Sequence, residues 1–539
     1  MSTFFIRKLI ASKNGSALSI SVLFFVLIAP FALSYLFHHP DEKHYTNAVI
    51  AMLGNGDYLT PTYPDGSLRF LKPIFTYWTL LAGYFTFGVS EFSSRIPSLL
   101  GASVFLFFFF KQLKLIFNSE RTAILSTLIL ASNPLYIMCS SRNIPDIWLC
   151  IFLSLMGIAS IRLLKGKGKT SHSIALFYLG ASLATATKGL PALAYSSVSL
   201  AFLLFNPWNR IAIKHFISPY WIPIAAFIAS FWYVAMYLQH GQLAVDAFLN
   251  DQVNERVGSS SLSYLKGFGL SIVFLLAYPL AWLFQTNDLF TIKIRQKAKS
   301  EELFILLWIS LTILFCTAVS PMYDRYILPV VPLLSVLIAL KINPEKVRAL
   351  TIGTLVFRIL FIIAAIAALF SIWLFQAEYY IILILAVILF INVYTYIYQS
   401  KEFQIFVQTS SLFGLMFVML SPYIFPHQAN QIISYFEKKG QHNLSIYDNK
   451  KVAAKLRVNG NSHFHVNELF SDNTTESYII KDKDYFMQSV QGHITDTISY
   501  NWRGFPIEKM IEYRLNGKLK DLKKESSEKY FLIQNSIKK

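Results

Sequence analysis

Long runs of apolar residues alternate with short polar loops through most of the chain. The first run, 17–37, is long enough to cross the hydrocarbon core of a bilayer as an α-helix. Twelve more follow, near 95–111, 121–138, 147–164, 173–187, 190–206, 217–238, 263–285, 301–319, 326–341, 350–374, 378–398 and 404–424. The pattern predicts an all-α polytopic membrane protein with about thirteen transmembrane helices.

The basic residues between these runs give the orientation of the chain. Arg7, Lys8 and Lys13 place the N-terminus in the cytoplasm, so the loop that begins near Asp41 emerges on the far side. One further apolar run, 74–89, is short, and counting it as a span would invert every later basic loop. We therefore expect it to be a juxtamembrane helix that lies in the membrane interface.

The composition changes near residue 427, where the apolar runs end. Residues 427–539 are polar and contain short alternating runs at 443–447 and 530–533, with a helical pattern at 449–457. We expect a transmembrane domain over 1–426, with its first outer loop at 38–94, and a small C-terminal α/β domain outside the membrane.

The overall composition agrees with a membrane protein. Of the 539 residues, 54% are hydrophobic and only 14% are charged, whereas soluble proteins have roughly 25% charged residues. The net charge of +18 fits basic cytoplasmic loops that face anionic lipid or phosphate partners. It does not indicate nucleic-acid binding, because the sequence shows no soluble face on which basic and aromatic residues alternate. The three cysteines suggest neither a disulfide framework nor a metal site. We expect the first span to stay in the protein and not to be cleaved as a signal peptide.

Adjacent carboxylates at Asp41 and Glu42, just after the first span, are costly unless they face water, a cation or a substrate. The predicted topology brings other polar side chains to the same face. These are Tyr45, Lys72, Arg142, Asp146, Lys188, Arg256 and Arg325. Each also has a simpler explanation. Lys72 would then merely extend toward lipid headgroups, and Asp146 would merely complement a helix dipole. Together, carboxylates beside several cations suit a phosphate-bearing substrate.

Several short motifs carry a family resemblance. They are the segments at 40–45 (PDEKHY), 56–61 (GDYLTP), 71–78 (LKPIFTYW), 92–98 (FSSRIPS), 184–191 (ATATKGLP) and 326–329 (YILP), with Arg142 and Asp146. In this order they resemble the lipid A aminoarabinose transferases, within the protein O-mannosyltransferase-like integral membrane glycosyltransferases of the GT-C fold. The resemblance covers residues 20–335.

The resemblance implies a sugar donor linked to polyprenyl phosphate, usually undecaprenyl phosphate in bacteria, and a multi-pass protein of the inner membrane acting at the periplasmic face. It makes Asp41 the essential carboxylate, Asp146 the second acidic position and Lys72 the lysine that holds the donor phosphate. Lys188, Arg256, Tyr45 and Tyr326 fall on further family positions. We include Glu42 among the catalytic candidates and Arg325 among the substrate-binding ones.

The sequence departs from the family pattern at three places, and these bear on the sugar or the acceptor. Leu71 stands in place of a Glu, Ile74 in place of a Pro, and 322–325 (MYDR) in place of a segment with a lysine.

The predicted reaction is inverting transfer of a sugar, 4-amino-4-deoxy-L-arabinose or another amino sugar, to a lipid A phosphate. Asp41 would orient the acceptor or bind a divalent cation, the one cofactor considered; with a hydroxyl acceptor it would be a general base. Two alternatives remain at this point. The acceptor could be a protein or polysaccharide, or the chain could transport lipid-linked sugars.

Overall fold

The computed structural model describes most of the chain. The described residues are 15–34, 41–64, 66–250, 260–286, 300–343, 347–375, 377–424, 428–441, 443–447, 450–459, 465–469, 477–481, 485, 493–501, 507–518, 520–521 and 527–534. Structural statements below refer to these residues.

Most of the described residues before position 425 lie in helices. They are α1 Gly15–Ser34, α2 Glu42–Asn55, α3 Phe75–Phe87, α4 Glu91–Phe117, α5 Glu120–Ala131, α6 Pro134–Ser140, α7 Pro145–Leu164, α8 Thr170–Lys188, α9 Leu190–Phe205, α10 Trp221–His240, α11 Gln242–Leu249, α12 Ser261–Ala277, α13 Leu280–Leu283, α14 Ser300–Ala318, α15 Val331–Lys341, α16 Val347–Phe375, α17 Tyr379–Tyr398 and α18 Lys401–Ile424. Short 3-10 helices lie at Ile213–His215 and Asp324–Val330.

The polytopic helical fold is confirmed. Within the described residues, eight helices are long and apolar enough to cross a membrane, and a ninth counts if the bent pair α5–α6 is one span. The other four predicted spans are helical as well, as α8, α9, α12 and α15, but these helices are shorter or less apolar.

The predicted span at 121–138 is not one straight helix. It bends by 64° between α5 and α6, because Asn133 caps a new helix there. Its side-chain oxygen accepts hydrogen bonds from the backbone N–H groups of Leu135 and Tyr136, at 3.0 and 3.3 Å, and Pro134 takes the first helical position. The bend directs the chain toward the start of α7.

The first loop packs around an apolar cluster that it shares with α10. The juxtamembrane helix predicted at 74–89 is α3, whose 13 residues span about 20 Å and are too few to cross a bilayer. A second helix, α2, begins directly after Asp41. Val49, Met52 and Tyr77 are buried in a cluster that extends to Trp232 of α10. The first loop is therefore anchored against a long apolar helix.

Helix α7 is the centre of the bundle, and nearly all of its residues are buried. It packs antiparallel against α8, so the start of α7 and the end of α8 lie at the same end of the pair. Asp146 is in the first turn of α7 and Lys188 in the last turn of α8. The antiparallel pairing therefore brings these two charges together.

In the C-terminal part, the described residues include helices and a five-stranded sheet. The elements are α19 Gln428–Lys438, β1 Asn443–Tyr447, α20 Lys450–Asn459, β2 His465–Leu469, β3 Ser477–Lys481, β4 His493–Asn501, α21 Ile507–Leu515 and β5 Ser527–Gln534. The strand order is β2-β1-β3-β5-β4, with β1 parallel to β2 and β3, and β5 antiparallel to β3 and β4. The predicted strands and helix of this α/β region are confirmed, while its boundary at 426–427 stays a prediction.

Candidate active site

A cavity of about 350 Å³ opens where α7, α8, α9 and α14 meet the 3-10 helix Asp324–Val330. Its polar lining residues are Asp41, Tyr45, Lys72, Asp146, Lys188, Arg325 and Tyr326; its apolar wall includes Leu149, Leu190, Tyr195, Phe315 and Pro329. Seven of the ten candidate residues from the sequence thus lie at one cavity.

The charged groups of the cavity form a continuous chain. An amino group of Arg325 contacts Asp41 Oδ2 at 2.9 Å, and Arg325 Nε lies 3.6 Å from Asp146 Oδ2. Lys188 Nζ donates a hydrogen bond of 2.6 Å to the other oxygen of Asp146. Arg325 is therefore held between two carboxylates from distant parts of the sequence, and Lys188 pairs with one of them, Asp146.

Local sequence explains why Asp146 and Lys188 lie at helix ends. Pro145 suits the first position of α7, and a carboxylate in the first turn complements the helix dipole. Lys188 in the last turn of α8 complements the opposite end. Gly189 then turns the chain with φ +66°, and a Cβ there would lie 2.6 Å from the hydroxyl of Tyr233, so the sharp turn into α9 requires glycine.

Arg325 is held in place by its own 3-10 helix. Asp324 accepts the Tyr278 hydroxyl at 2.7 Å and the backbone N–H of Arg325 at 2.8 Å. The guanidinium carbon lies 4.4 Å from the ring centre of Tyr323 and 5.7 Å from that of Tyr326. Burial acts to lower the pKa of Arg325, but Asp146 and Asp41 outweigh it and the pKa is raised. Arg325 therefore stays cationic.

The two carboxylates of the cavity differ in accessibility. The Asp41 side chain is 41% exposed, whereas that of Asp146 is 4% exposed and contacts both Lys188 and Arg325. A substrate entering the cavity can therefore reach Asp41, while Asp146 fixes the positions of the two cations.

Lys72 and Tyr45 complete the polar lining from the first loop. Lys72 Nζ donates to the Leu71 carbonyl oxygen at 3.0 Å, just before α3 begins. Tyr45 is buried in α2, and its ring centre lies 5.2 Å from that of Tyr77. Burial raises the pKa of Tyr45 well above its usual value, so the hydroxyl stays neutral.

Sequence reasoning missed Arg69, which supports this part of the lining. Arg69 is 5% exposed and donates to the hydroxyls of Tyr77 and Tyr63 at 3.2 and 3.1 Å. Its guanidinium carbon lies 5.4 Å from the ring centre of Tyr45. An arginine within a tyrosine-rich loop is the signal that could have identified it.

Glu42 is not among the residues that line the cavity, which argues against the catalytic role expected for it. Its two carboxylate oxygens each accept a hydrogen bond of 2.9 Å from Arg95, and one also accepts the backbone N–H of Asn143 at 3.0 Å. Both side chains are fully buried. Adjacent residues on a helix point in different directions, so only Asp41 of the acidic pair reaches the cavity.

Two other outer-face candidates are not part of the described cavity. Arg256 lies outside the described residues. Arg142 is half-buried in the turn before α7 and is not among the cavity's lining residues.

The described residues contain no group of three or more His, Cys, Asp or Glu side chains placed to hold a metal ion. Both carboxylates of the cavity are already paired with cations. Among the described residues, this donor set does not fit a divalent cation.

The fold and cavity define the class: a multi-pass membrane protein with the GT-C fold. The structure superposes on the crystal structure of ArnT from Cupriavidus metallidurans bound to undecaprenyl phosphate with a TM-score of 0.68, covering 98% of this chain and 99% of that one. At 15% identity this likeness shows the fold. The resemblance to ArnT-like GT-C glycosyltransferases seen in the sequence is confirmed.

Sequence comparisons lead to the same group. Residues 71–237 match the family model of dolichyl-phosphate-mannose-protein mannosyltransferase. The chain is 27% identical over 350 residues to an uncharacterized protein of Aquifex aeolicus, covering 62% of this chain and 66% of the relative. It is also 27% identical over 371 residues to the undecaprenyl phosphate-alpha-4-amino-4-deoxy-L-arabinose arabinosyl transferase of Erwinia tasmaniensis, covering 64% and 63%. The chain thus spans less than two thirds of these curated relatives.

Proposed function

We propose that this chain is an inverting glycosyltransferase that moves an amino sugar from undecaprenyl phosphate to a lipid A phosphate at the periplasmic face of the bacterial inner membrane. The observation that carries the proposal is the ion chain Asp41–Arg325–Asp146–Lys188 at the edge of an apolar-walled cavity. The names of the curated relatives and of the bound ArnT structure support this donor.

The balance of charge in the cavity favours an anionic ligand. Lys72, Lys188 and Arg325 contribute three positive charges and Asp41 and Asp146 two negative ones, which leaves a net charge of +1. A phosphate entering beside Arg325 and Lys188 would meet donors that the buried Asp146 already orients. The apolar wall suits the first carbons of a lipid chain.

The proposed reaction is a single displacement at the anomeric carbon. The acceptor oxygen forms a bond to that carbon from one face while the carbon–oxygen bond to the donor phosphate breaks on the other. The electron pair of the broken bond goes to undecaprenyl phosphate. Cations fixed before the reaction stabilise this growing negative charge without reorganisation, which is the most valuable electrostatic contribution at such a site. Lys72, Lys188 and Arg325 have this role.

Asp41 is the carboxylate that touches the substrate. A lipid A phosphate is already anionic near neutral pH and needs no strong base, so Asp41 orients the acceptor or the sugar amine. With a hydroxyl acceptor, Asp41 would instead accept its proton as a general base. Asp146 is a positioning residue, because its oxygens are occupied by Lys188 and Arg325.

Mass spectrometry of lipid A from cells with the wild type or Asp41→Asn tests the proposal. We expect a pentosamine-sized addition that disappears in the variant. A hexosamine-sized addition would keep the reaction and change the sugar, and unchanged lipid A would redirect the acceptor to a protein or polysaccharide. Purified protein with lipid-linked donor in detergent separates an enzyme from a transporter, since only an enzyme transfers the sugar without a membrane.

A further inference from the structure

A second cavity lies at the opposite end of α7 from Asp146. The 20 residues of α7 extend about 30 Å, so this cavity is on the other side of the bundle from the candidate active site. It measures about 470 Å³ and is lined by Arg162, Lys167, Arg210, Lys214 and His215, with no acidic residue among its described lining residues. Its charge favours an anion.

Arg162 is the buried basic residue of this cavity. It is 8% exposed, and one amino group donates to the Gln112 side-chain oxygen at 3.0 Å. Its Nε atom is buried and has no hydrogen-bond partner within the described part of the chain. A buried donor without a partner costs free energy, more so on a charged group. An anion in the cavity would remove that cost.

The turn between α7 and α8 passes close to the Arg162 guanidinium. Gly166 and Gly168 have φ values of +60° and +73°, and a Cβ at Gly168 would lie 2.5 Å from an amino group of Arg162. Helix α8 begins directly after this turn, and Thr170 and Ser173 of its first turn line the cavity. Helix starts favour anions because their first N–H groups are unpaired within the helix.

Within the described residues, carboxylates do not pair with the exposed cations of this cavity. Lys165 lies in the same turn but pairs with Glu301 at 2.8 Å and is not part of the lining. In contrast, Lys167, Arg210 and Lys214 have no carboxylate within 4.0 Å among the residues that the structure describes. Charges left in this state at a membrane surface attract phosphate groups.

Exposed apolar side chains flank the cavity. Phe205 at the end of α9, and Ile213, Ile217 and Tyr220 in the segment that leads to α10, are 61–76% exposed. Such side chains beside basic residues suit lipid tails below a charged headgroup. A soluble anion would make no use of them.

We propose that this cavity binds the phosphate headgroup of an anionic phospholipid, on the membrane face opposite the candidate active site. The buried guanidinium of Arg162 and the start of α8 contact the phosphate. Lys167, Arg210 and Lys214 surround it, and the exposed apolar side chains contact the acyl chains. The site does not depend on the identity of the sugar or the acceptor.

Titration of the full-length protein in detergent with dioleoyl phosphatidylglycerol tests this site, with melting temperature as the measurement. We expect K167Q/K214Q to bind the lipid about tenfold or more weakly than the wild type, since each basic residue near an anionic surface contributes to binding. The matched control is K111Q/R121Q, which removes two exposed charges near the turn between α4 and α5 and should change the affinity less than about twofold.

Two further titrations separate the sources of the phosphate. Phosphatidylcholine should produce no comparable stabilisation, and neither should inorganic phosphate. Equal stabilisation by inorganic phosphate would assign the site to a soluble anion and overturn the lipid proposal. Equal losses of lipid affinity in K167Q/K214Q and in the control would show that general surface charge accounts for the binding. That result would also overturn the lipid proposal. Native mass spectrometry of retained phosphatidylglycerol in both variants gives a second measurement.

Discussion

Glu42 and Arg95 form a two-pronged ion pair in which neither side chain is exposed to solvent, with both contacts at 2.9 Å. Glu42 also accepts the backbone N–H of Asn143, three residues before Asp146. Arg95 in addition donates to the Ala32 carbonyl oxygen of α1 at 3.3 Å. One buried pair therefore joins α1, α2, α4 and the turn before α7, and it sets the spacing between Asp41 and Asp146.

Glu42→Ala should destabilise the protein strongly. Removing one partner of a buried ion pair leaves the other charge uncompensated, which costs about 3–5 kcal/mol. We expect a marked fall in melting temperature together with loss of sugar transfer, because both carboxylate-bearing segments lose their anchor.

The matched control for that substitution is Glu120→Ala. Glu120 pairs with Lys114 at 2.9 Å, but their side chains are 53% and 37% exposed. Exposed pairs contribute about 0.2–1 kcal/mol. Similar losses of stability in the two variants would contradict a special role for the buried pair.

Asp41→Asn and Asp146→Asn should separate chemistry from positioning. Asp41 is partly exposed, so its replacement should change stability by about 0–1 kcal/mol while transfer is lost. Asp146 is buried with two cations, and its replacement should cost about 3–5 kcal/mol as well as activity. Melting temperatures and initial rates of the two variants test this difference. An Asp41→Asn variant that retained full transfer would refute the assignment of the central carboxylate.

Arg325→Lys should impair the reaction although it preserves charge. Two different nitrogens of the guanidinium contact Asp41 and Asp146, and a single ammonium cannot reproduce that planar geometry. We expect kcat/KM to fall by about tenfold or more, equivalent to about 1.4 kcal/mol. Arg121→Lys, at an exposed position in α5, is the control and should leave kcat/KM unchanged. Wild-type kinetics for Arg325→Lys would show that charge alone suffices.

Gly83→Ala should disturb the packing of α3 on α4. A Cβ at Gly83 would collide with the Ser93 carbonyl oxygen and lie 3.1 Å from Pro97 Cγ. Overpacking of this kind costs about 1–3 kcal/mol.

Gly54→Ala is the control for that glycine, since a Cβ there meets nothing within 4 Å. Within α2 it should stabilise the protein by about 0.5–1 kcal/mol. Thermal unfolding of the two alanine variants should therefore shift in opposite directions. A shift in the same direction for both would contradict the close contact between α3 and α4.

The predictable part of the candidate site follows from which side of the membrane each charge occupies. The positive-inside pattern placed Asp41, Lys72, Asp146, Lys188 and Arg325 on one face, because the basic cytoplasmic loops fix the orientation of the spans and therefore the side of every other loop. The family motifs then indicated that these residues belong to one site.

Side-chain direction accounts for what the sequence did not reveal. Glu42 follows Asp41 directly, yet it turns into the bundle toward Arg95, a partner 53 residues away. The bend at Asn133 also went unpredicted, because it depends on a local helix cap that a hydropathy pattern does not detect. For Arg69 the tyrosine-rich loop was a usable signal, but only the folded loop shows that Tyr63 and Tyr77 are the partners of the guanidinium.

The sequence alone determined the class, the helical segments, the C-terminal α/β region and the set of charges on one face. These depend on periodicity, composition and charge, which are properties of neighbouring residues. Only the tertiary structure decided which carboxylate reaches the cavity, which one positions Lys188 and Arg325, and which is buried as a helix anchor. Those roles depend on contacts between residues 42 to 284 positions apart, and packing of the helices alone creates such contacts.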